Sequence, residues 1–367
     1  MVYNLVPEKV QKPVPPVDDP VRSTQKATTA HMLQVPWTAE KGWGTPLIQA
    51  YGKIALHPTA SVLHYATEAF EGMKVYRGYD GRIRLFRPNL NCARLQASNA
   101  RVALPPFDPD ALLNLICAFL AVECKRWLPD PGTNLYVRRA MIGSGEALGI
   151  TVPTEALFFV FAALFPQPAA RGRRLQCKVG ASYGPALMAH GMAREQGCSQ
   201  TLWLLDAAQG QDQLVTEAGA SNFFVVWRDR ASRALQLVTP SLDLGVVLPG
   251  VTRQSVLNSA RDRLQGSSSS SSRLEPLSVV ERPSFMDEIV LAQSEGRLVE
   301  CFVTGTAVFI TPVAEIKYRH DRVSMPMTVN AEGHESPVLV YSSAIKGWIE
   351  DIVYGRVEHE WGYVIDE

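Results

Sequence analysis

The chain has 367 residues, enough at roughly 150 residues per domain for two domains. Apolar residues make up 46% and charged residues 20%, a globular mix that excludes a disordered or collagen-like chain. Lys plus Arg and Asp plus Glu each total 36, so the net charge is zero and no overall positive field draws nucleic acid or an anionic membrane.

Residues 1-30 are rich in Pro, Lys, Asp and Thr without apolar periodicity, and are expected to form an arm on the surface or across a partner. Residues 31-165 read as a small α/β domain. Within it, Asp80-Gly81 between Val75-Tyr76 and Ile83-Arg84-Leu85 is a hairpin signal. Asn89 or Asn91 is placed to cap a helix running to about Val102. Asp108 or Asp110 is placed to cap a second helix carrying Leu112, Leu115, Ile116, Phe119, Leu120 and Val122. Leu135–Arg138 and Ala156–Phe165 supply two more strands. The run from Ala156 is ten residues long and stops at Pro166, short of the roughly 18 that a membrane helix needs.

Pro166-Gln167-Pro168, followed by Arg171, Arg173 and Arg174, suits an interdomain connector at 166-177 or a surface loop. Residues 178-367 then form a second, larger domain. Its apolar runs at Thr201–Leu205, Phe223–Trp227 and Leu235–Val238 alternate with helical stretches near 185–197 and 252–264. Gly266 and Ser267–Ser272 form a low-complexity loop expected to be mobile. The fold class is α+β, with mixed sheets and flanking helices.

The cysteines at 92, 117, 124, 177, 198 and 301 include no C-x-x-C pair, which argues against a zinc ribbon or disulfide scaffold and for a reducing compartment. The histidines show no metal-ligand spacing, so no metal is expected. The N-terminal residues have neither a signal-peptide apolar region nor an acid-poor transit pattern, and a cytoplasmic location is expected. No Walker loop, G-x-S-x-G elbow or H-E-x-x-H motif is present.

Glycine-rich loops beside single charges remain. Lys178 is flanked by Leu175, Cys177 and Val179, where desolvation lowers an amine's pKa toward that of a nucleophile; a solvated strand lysine fits the same letters. Glu217, before Gly219 and an apolar strand, suits either pairing with a cofactor nitrogen or a turn. Gly250-Val251-Thr252 precedes a helix, where free amides and a hydroxyl suit a phosphate and ordinary capping by Thr252 is the alternative.

Together these segments resemble the branched-chain amino acid aminotransferases of the fold-type IV pyridoxal-phosphate-dependent family, from about residue 30 to the C-terminus. The resemblance is carried by Leu63-His64-Tyr65, Phe70-Glu71-Gly72-Met73-Lys74, Arg84-Leu85-Phe86-Arg87-Pro88 and Leu135-Tyr136-Val137-Arg138. The Lys178 segment, Thr216-Glu217, Leu248-Pro249-Gly250-Val251 and Gly305-Thr306-Ala307 complete it.

The resemblance implies a two-domain homodimer that binds pyridoxal 5'-phosphate and transfers an amino group between aliphatic L-amino acids and 2-oxoglutarate. Lys178 would form the Schiff base and move the proton, Glu217 would bond the pyridine nitrogen, and Tyr183 would contact the phenolic oxygen. Arg94, Val251, Thr252 and Thr306 would hold the phosphate. Tyr65, Phe70 and Tyr136 would line the aliphatic pocket, Tyr65 reaching a neighbouring subunit's site. Arg138 and Ala307 would receive substrate carboxylates.

The chain departs from the family in several places. The segment from Phe165 to Lys178 is shorter than the family's domain junction, which bears on lid closure. Ser182 replaces the usual asparagine, and Ala220 and Ser221 replace a threonine and a bulkier residue. Val308 and Thr311 stand where the mammalian redox cysteines lie, so no thiol switch is expected there. A D-amino acid aminotransferase, an aminodeoxychorismate lyase and a catalytically impaired binding protein remain as alternatives at the level of sequence.

Overall fold

The computed structural model describes residues 4–5, 12–16, 18–146, 148–165, 178–184, 186–206, 213–243, 245–265, 274–307, 309–329, 335–337 and 339–366. The connector expected at 166-177, the serine run at 267–272 and Val308 lie outside them. Two compact units separate: residues before 166 with 178–184 and 351–366, and residues 186–350.

The first unit holds β1 (Asn4–Leu5), β2 (His31–Thr38), β3 (Gly42–Trp43), β4 (Leu47–Ala50), α1 (Ser61–Tyr65), β5 (Glu68–Arg77) and β6 (Ile83–Phe86). It continues with α2 (Pro88–Arg101), α3 (Pro109–Trp127), β7 (Asn134–Gly143) and β8 (Glu155–Ala163). One sheet runs β1-β4-β2-β8-β7-β5-β6 and ends on the C-terminal strand Gly362–Ile365, with β3 beside β2. The hairpin forms where Asp80-Gly81 marks it, pairing Val75 with Leu85 and Arg77 with Ile83. Gly81 takes φ +79°, and Asp80 bonds the Arg84 guanidinium, which holds its carboxyl down at about 2.

Asp108 caps α3 by accepting from Asp110 N at 3.0 Å. Helix α2 starts differently from the sequence reading. Its N-cap is Arg87 at φ +47° with Pro88 at the first helical position, while Asn91 lies inside the helix and is buried. Proline needs no amide partner in that first turn and has its φ preset, so the helix begins before either asparagine.

Strand alternation sorts the side chains of β5 and β7. Ala69, Met73, Val75, Leu135, Val137 and Met141 enter the core with Leu95, Ile116, Phe119 and Leu120 of the two helices. Even-numbered Glu68, Phe70, Tyr136 and Arg138 are only part-buried and lie on the other face.

A division at residue 178 is not where the compact units divide. Val179 bridges to Ala69, Phe70 N donates to the Lys178 carbonyl at 3.0 Å, and Gly362–Ile365 pairs with β6. These hydrogen bonds join residues distant in sequence and tie 178–184 and the C-terminus to the first unit.

The second unit contains α4 (Ala186–Glu195), β9 (Leu202–Leu205), β10 (Leu214–Ala218), β11 (Ser221–Arg228), β12 (Leu235–Thr239), α5 (Val251–Leu264), β13 (Ser278–Glu281) and α6 (Met286–Ser294). It continues with β14 (Leu298–Gly305), β15 (Phe309–Val313), β16 (Glu315–Tyr318), β17 (Asp321–Ser324), β18 (Met327–Val329), β19 (Glu335–Pro337) and most of α7 (Tyr341–Val353). The C-terminal strand is β20. Strand β11 is the hub of this sheet. Along one edge it meets β14 from Asn222 to Trp227, and along the other it meets β10 near Ser221 and β12 from Val225 to Arg228.

Candidate active site

In the first unit the Ala69–Val179 bridge sets Lys178 opposite Phe70 and Gly180 opposite Glu68. The Lys178 N–H donates to Ser98 Oγ of α2 at 2.9 Å. The Lys178 Nζ lies 3.4 Å from the Tyr183 hydroxyl and 5.5 Å from the centre of the Phe70 ring. Phe70 packs on Tyr183 with centroids 4.8 Å apart, and Tyr136 stacks on Phe165 at 4.6 Å. The Arg138 guanidinium lies 4.6 Å over Phe70 and 5.5 Å from Tyr136.

Gly72 makes room for this wall, since a Cβ there would sit 1.8 Å from the Tyr136 hydroxyl oxygen.

Glu71 projects to the other face and anchors the cations. Its Oε1 accepts from Arg94 Nε at 2.5 Å, and its Oε2 accepts from Arg94 Nη2 and Asn91 Nδ2, each at 2.9 Å. Arg139 Nη2 stands 3.6 Å from the same oxygen. Burial alone would raise the Glu71 carboxyl, but Arg94, Lys178 and Arg139 together bring it below the usual glutamate value. Lys178 moves down from the ordinary lysine value because burial and Arg94 outweigh Glu71. An amine so placed gives up its proton more readily and so can act as nucleophile and base. Arg94 is therefore a buried ion-pair residue.

The second unit gathers a separate set. Glu217 Oε1 accepts from Leu248 N at 2.9 Å and from Asn222 Nδ2 at 3.0 Å, while Asn222 also donates to the Leu248 carbonyl. Glu217 is a buried member of β10, not a turn residue. Gly250 is the N-cap of α5, and a Cβ on it would come 2.1 Å from Asn222 Oδ1. Thr252 does not cap α5: it is the second helical residue and buried, because the extended Gly250 already ends the preceding loop. The first amides of a helix, here those of Val251 and Thr252, have no intrahelical acceptor. Asn222 also pairs with Thr304, so the turn holding Thr306 and Ala307 follows directly beyond β14.

Tyr65 is the last residue of α1. It is 40% exposed, and its hydroxyl donates to the Leu148 carbonyl. An apolar cavity of 310 Å³ lined by Trp43, Phe107, Leu112, Met141 and Phe158 lies on the core side of the sheet. Its one charged lining residue, Asp108, is engaged in capping α3, so the chemistry does not sit there.

The sequence model of amino-transferase class IV matches residues 68–316. The chain belongs to this class IV aminotransferase family. It is 38% identical to the cytosolic branched-chain-amino-acid aminotransferase of Mus musculus, over 91% of this chain and 85% of that one. It is also 38% identical to the mitochondrial enzyme of Bos taurus, over 92% and 84%. Its fold resembles the branched-chain amino acid aminotransferase of Thermobaculum terrenum in PLP-form, with a TM-score of 0.66 at 19% identity over 93% of this chain and all of that one.

In this class IV aminotransferase, Lys178, Tyr183, Arg94, Phe70, Tyr136 and Arg138 fall together in one unit. Glu217, Val251, Thr252, Thr306 and Ala307 cluster about β11 and β14 in the other. Sequence reasoning missed the supports: Glu71, Asn91, Arg139, Ser98 and Asn222. Glu71 stood inside the Phe70–Lys74 motif, but only the packing of α2 on β5 reveals the cations it meets.

Proposed function

We infer that this chain is a pyridoxal 5'-phosphate-dependent transaminase that moves the amino group of branched-chain L-amino acids, or of related aliphatic ones, to 2-oxoglutarate. The observation that carries the reading is the Lys178 amine, shifted toward its neutral form and set beside Tyr183, Phe70 and Arg138. The names of the relatives support the same reaction.

The residues present fit a phosphate-bearing aldehyde cofactor. Arg94, Arg138 and Arg139 outnumber Glu71 and Glu68, and Arg138 Nε, Arg139 Nε and Arg139 Nη2 have no hydrogen-bond partner among the described residues. Such a surplus of guanidinium charge suits an anion. Arg94, with the amides of Val251 and Thr252 and the Thr306 segment, would hold the phosphate. Glu217, fixed by Leu248 N and Asn222, would hold the proton of the ring nitrogen, and Tyr183 would donate to the phenolic oxygen.

When bound, the cofactor supplies an electron sink for the pair left on the substrate α-carbon. Lys178 Nζ would take the proton from that carbon and hold it for return. Phe70 and Tyr136 give the aliphatic side chain an apolar wall. Arg138 binds the distal carboxylate in the other half-reaction, and Ala307 N receives the α-carboxylate.

A homodimer, with Tyr65 contributing to the neighbouring subunit's site, and a cytoplasmic location complete the reading. The location rests on cysteine usage, since cytosolic and mitochondrial relatives are both found. Among the described residues no helix is long and apolar enough to cross a membrane.

An absorbance spectrum of the protein with pyridoxal 5'-phosphate, before and after L-leucine, tests the reading. Wild type should show a visible band that leucine removes, and Lys178→Ala should show none. A band that leucine leaves unchanged would reject the substrate, and no band in wild type would reject the cofactor.

A further inference from the structure

Glu68 has no part in the roles above, yet it stands on the substrate-facing side of the sheet. It lies on β5 two residues before Phe70, so strand alternation sets it on the face of Phe70, Tyr136 and Arg138. Opposite it across the Ala69–Val179 bridge is Gly180. A Cβ on Gly180 would lie 1.8 Å from Glu68 Oε1 and 2.4 Å from Cδ, so the carboxylate fills the space a side chain would take.

Arg138 comes from the opposite direction. Its backbone pairs with Gly72, but its guanidinium leans over the Phe70 ring at 4.6 Å, one row nearer Glu68. Burial pushes the Glu68 carboxyl up and Arg138 draws it part of the way back, so each charge feels the other.

We propose that Glu68 is a specificity-determining residue: a resident carboxylate facing Arg138 that selects against substrates with a distal carboxylate and in favour of uncharged aliphatic ones. The proposal rests on Arg138 as the receiver of the distal carboxylate. A dicarboxylate approaching Arg138 meets a like charge already on that face, over aromatic surfaces that screen poorly. An isobutyl group carries no charge and would meet the Phe70 and Tyr136 rings without electrostatic penalty. Glu68 thereby sets how far the two half-reactions differ in affinity while leaving the apolar wall untouched.

Calorimetric titration of the pyridoxal-phosphate-loaded protein with glutarate and with 4-methylpentanoate tests this. The two acids match the distal ends of the dicarboxylate and aliphatic substrates and do not react. Glu68→Gln keeps the shape of the side chain, and Glu68→Ser serves as a second variant. Each is expected to tighten glutarate by about tenfold, as removal of one nearby like charge implies, with 4-methylpentanoate unchanged. Arg138→Met alone should weaken glutarate and leave 4-methylpentanoate unchanged.

If Arg138→Met weakens glutarate but the Glu68 variants do not tighten it, the proposal fails and the Arg138 assignment stands. Equal tightening of both acids also overturns it, because Glu68 would then act on the whole site through the Lys178 segment. Unchanged glutarate binding in Arg138→Met removes the Arg138 assignment and this proposal with it.

Discussion

Glu71 holds the buried guanidinium of Arg94 and lies against that of Arg139. Its two oxygens take three hydrogen bonds from Arg94 and Asn91 and lie against Arg139, with no solvent to replace it. Glu71→Ala strands both guanidinium groups and should cost about 3–5 kcal/mol, read as a lower urea midpoint at neutral pH. The pH dependence follows from the direction of its shift. The folded-state carboxyl lies below its usual value of 4.5, so its contribution is fully present above that pH and is lost as pH falls through the lowered value. Urea melts of wild type and Glu71→Gln should therefore differ most above pH 4.5 and converge in stronger acid. A gap that stays constant across that range would contradict the assignment.

At the scale of elements, β5 serves two layers at once. Its odd positions feed the helix-covered core and its even positions build the candidate site, so a change that moves the strand disturbs both. Gly72 lies where β5 must let the Tyr136 side chain cross it. Gly72→Ala places a methyl 1.8 Å from the Tyr136 hydroxyl oxygen, and the rigid ring, stacked on Phe165, has to swing away. Overpacking of this kind costs roughly 1–3 kcal/mol. The expected outcome is a lower melting temperature together with a raised KM for leucine; a variant with wild-type values of both would show that the wall adapts. Helix α5 illustrates the same dependence in the second unit, since Gly250 lets Asn222 approach closely enough to hold Glu217 and the Leu248 loop together.

For the whole molecule, the chain's ends matter more than their lengths suggest. The C-terminal strand β20 pairs with β6 through Gly362–Phe86 and Ile365–Ile83, and closes one edge of the nine-stranded sheet. Truncation after Glu350 would expose β6 as an unpaired edge and remove Trp361, which packs on Phe86. Hydrogen exchange of the truncated chain should show loss of protection at Ile83–Phe86 and a tendency to aggregate, with protection in β11 and β14 retained. Unaltered exchange in β6 would mean that β20 adds little to the first unit.

The sequence by itself determined the hairpin at Asp80-Gly81, a helix begun at Asp108 or Asp110, the main strands, and, through the family resemblance, Lys178 and Glu217 as the groups to watch. Those features rest on local chemistry: a turn that needs positive φ, a carboxylate that caps a helix, alternation along a strand, and short motifs in order. The helix start at Pro88, the placement of 178–184 and of β20 in the first unit, and the neighbours of Glu71, Glu68 and Asn222 were decided only by the tertiary structure. Each depends on hydrogen bonds or charge contacts between residues distant in the chain, and spacing along a sequence carries no record of which strand edge or guanidinium a side chain will meet.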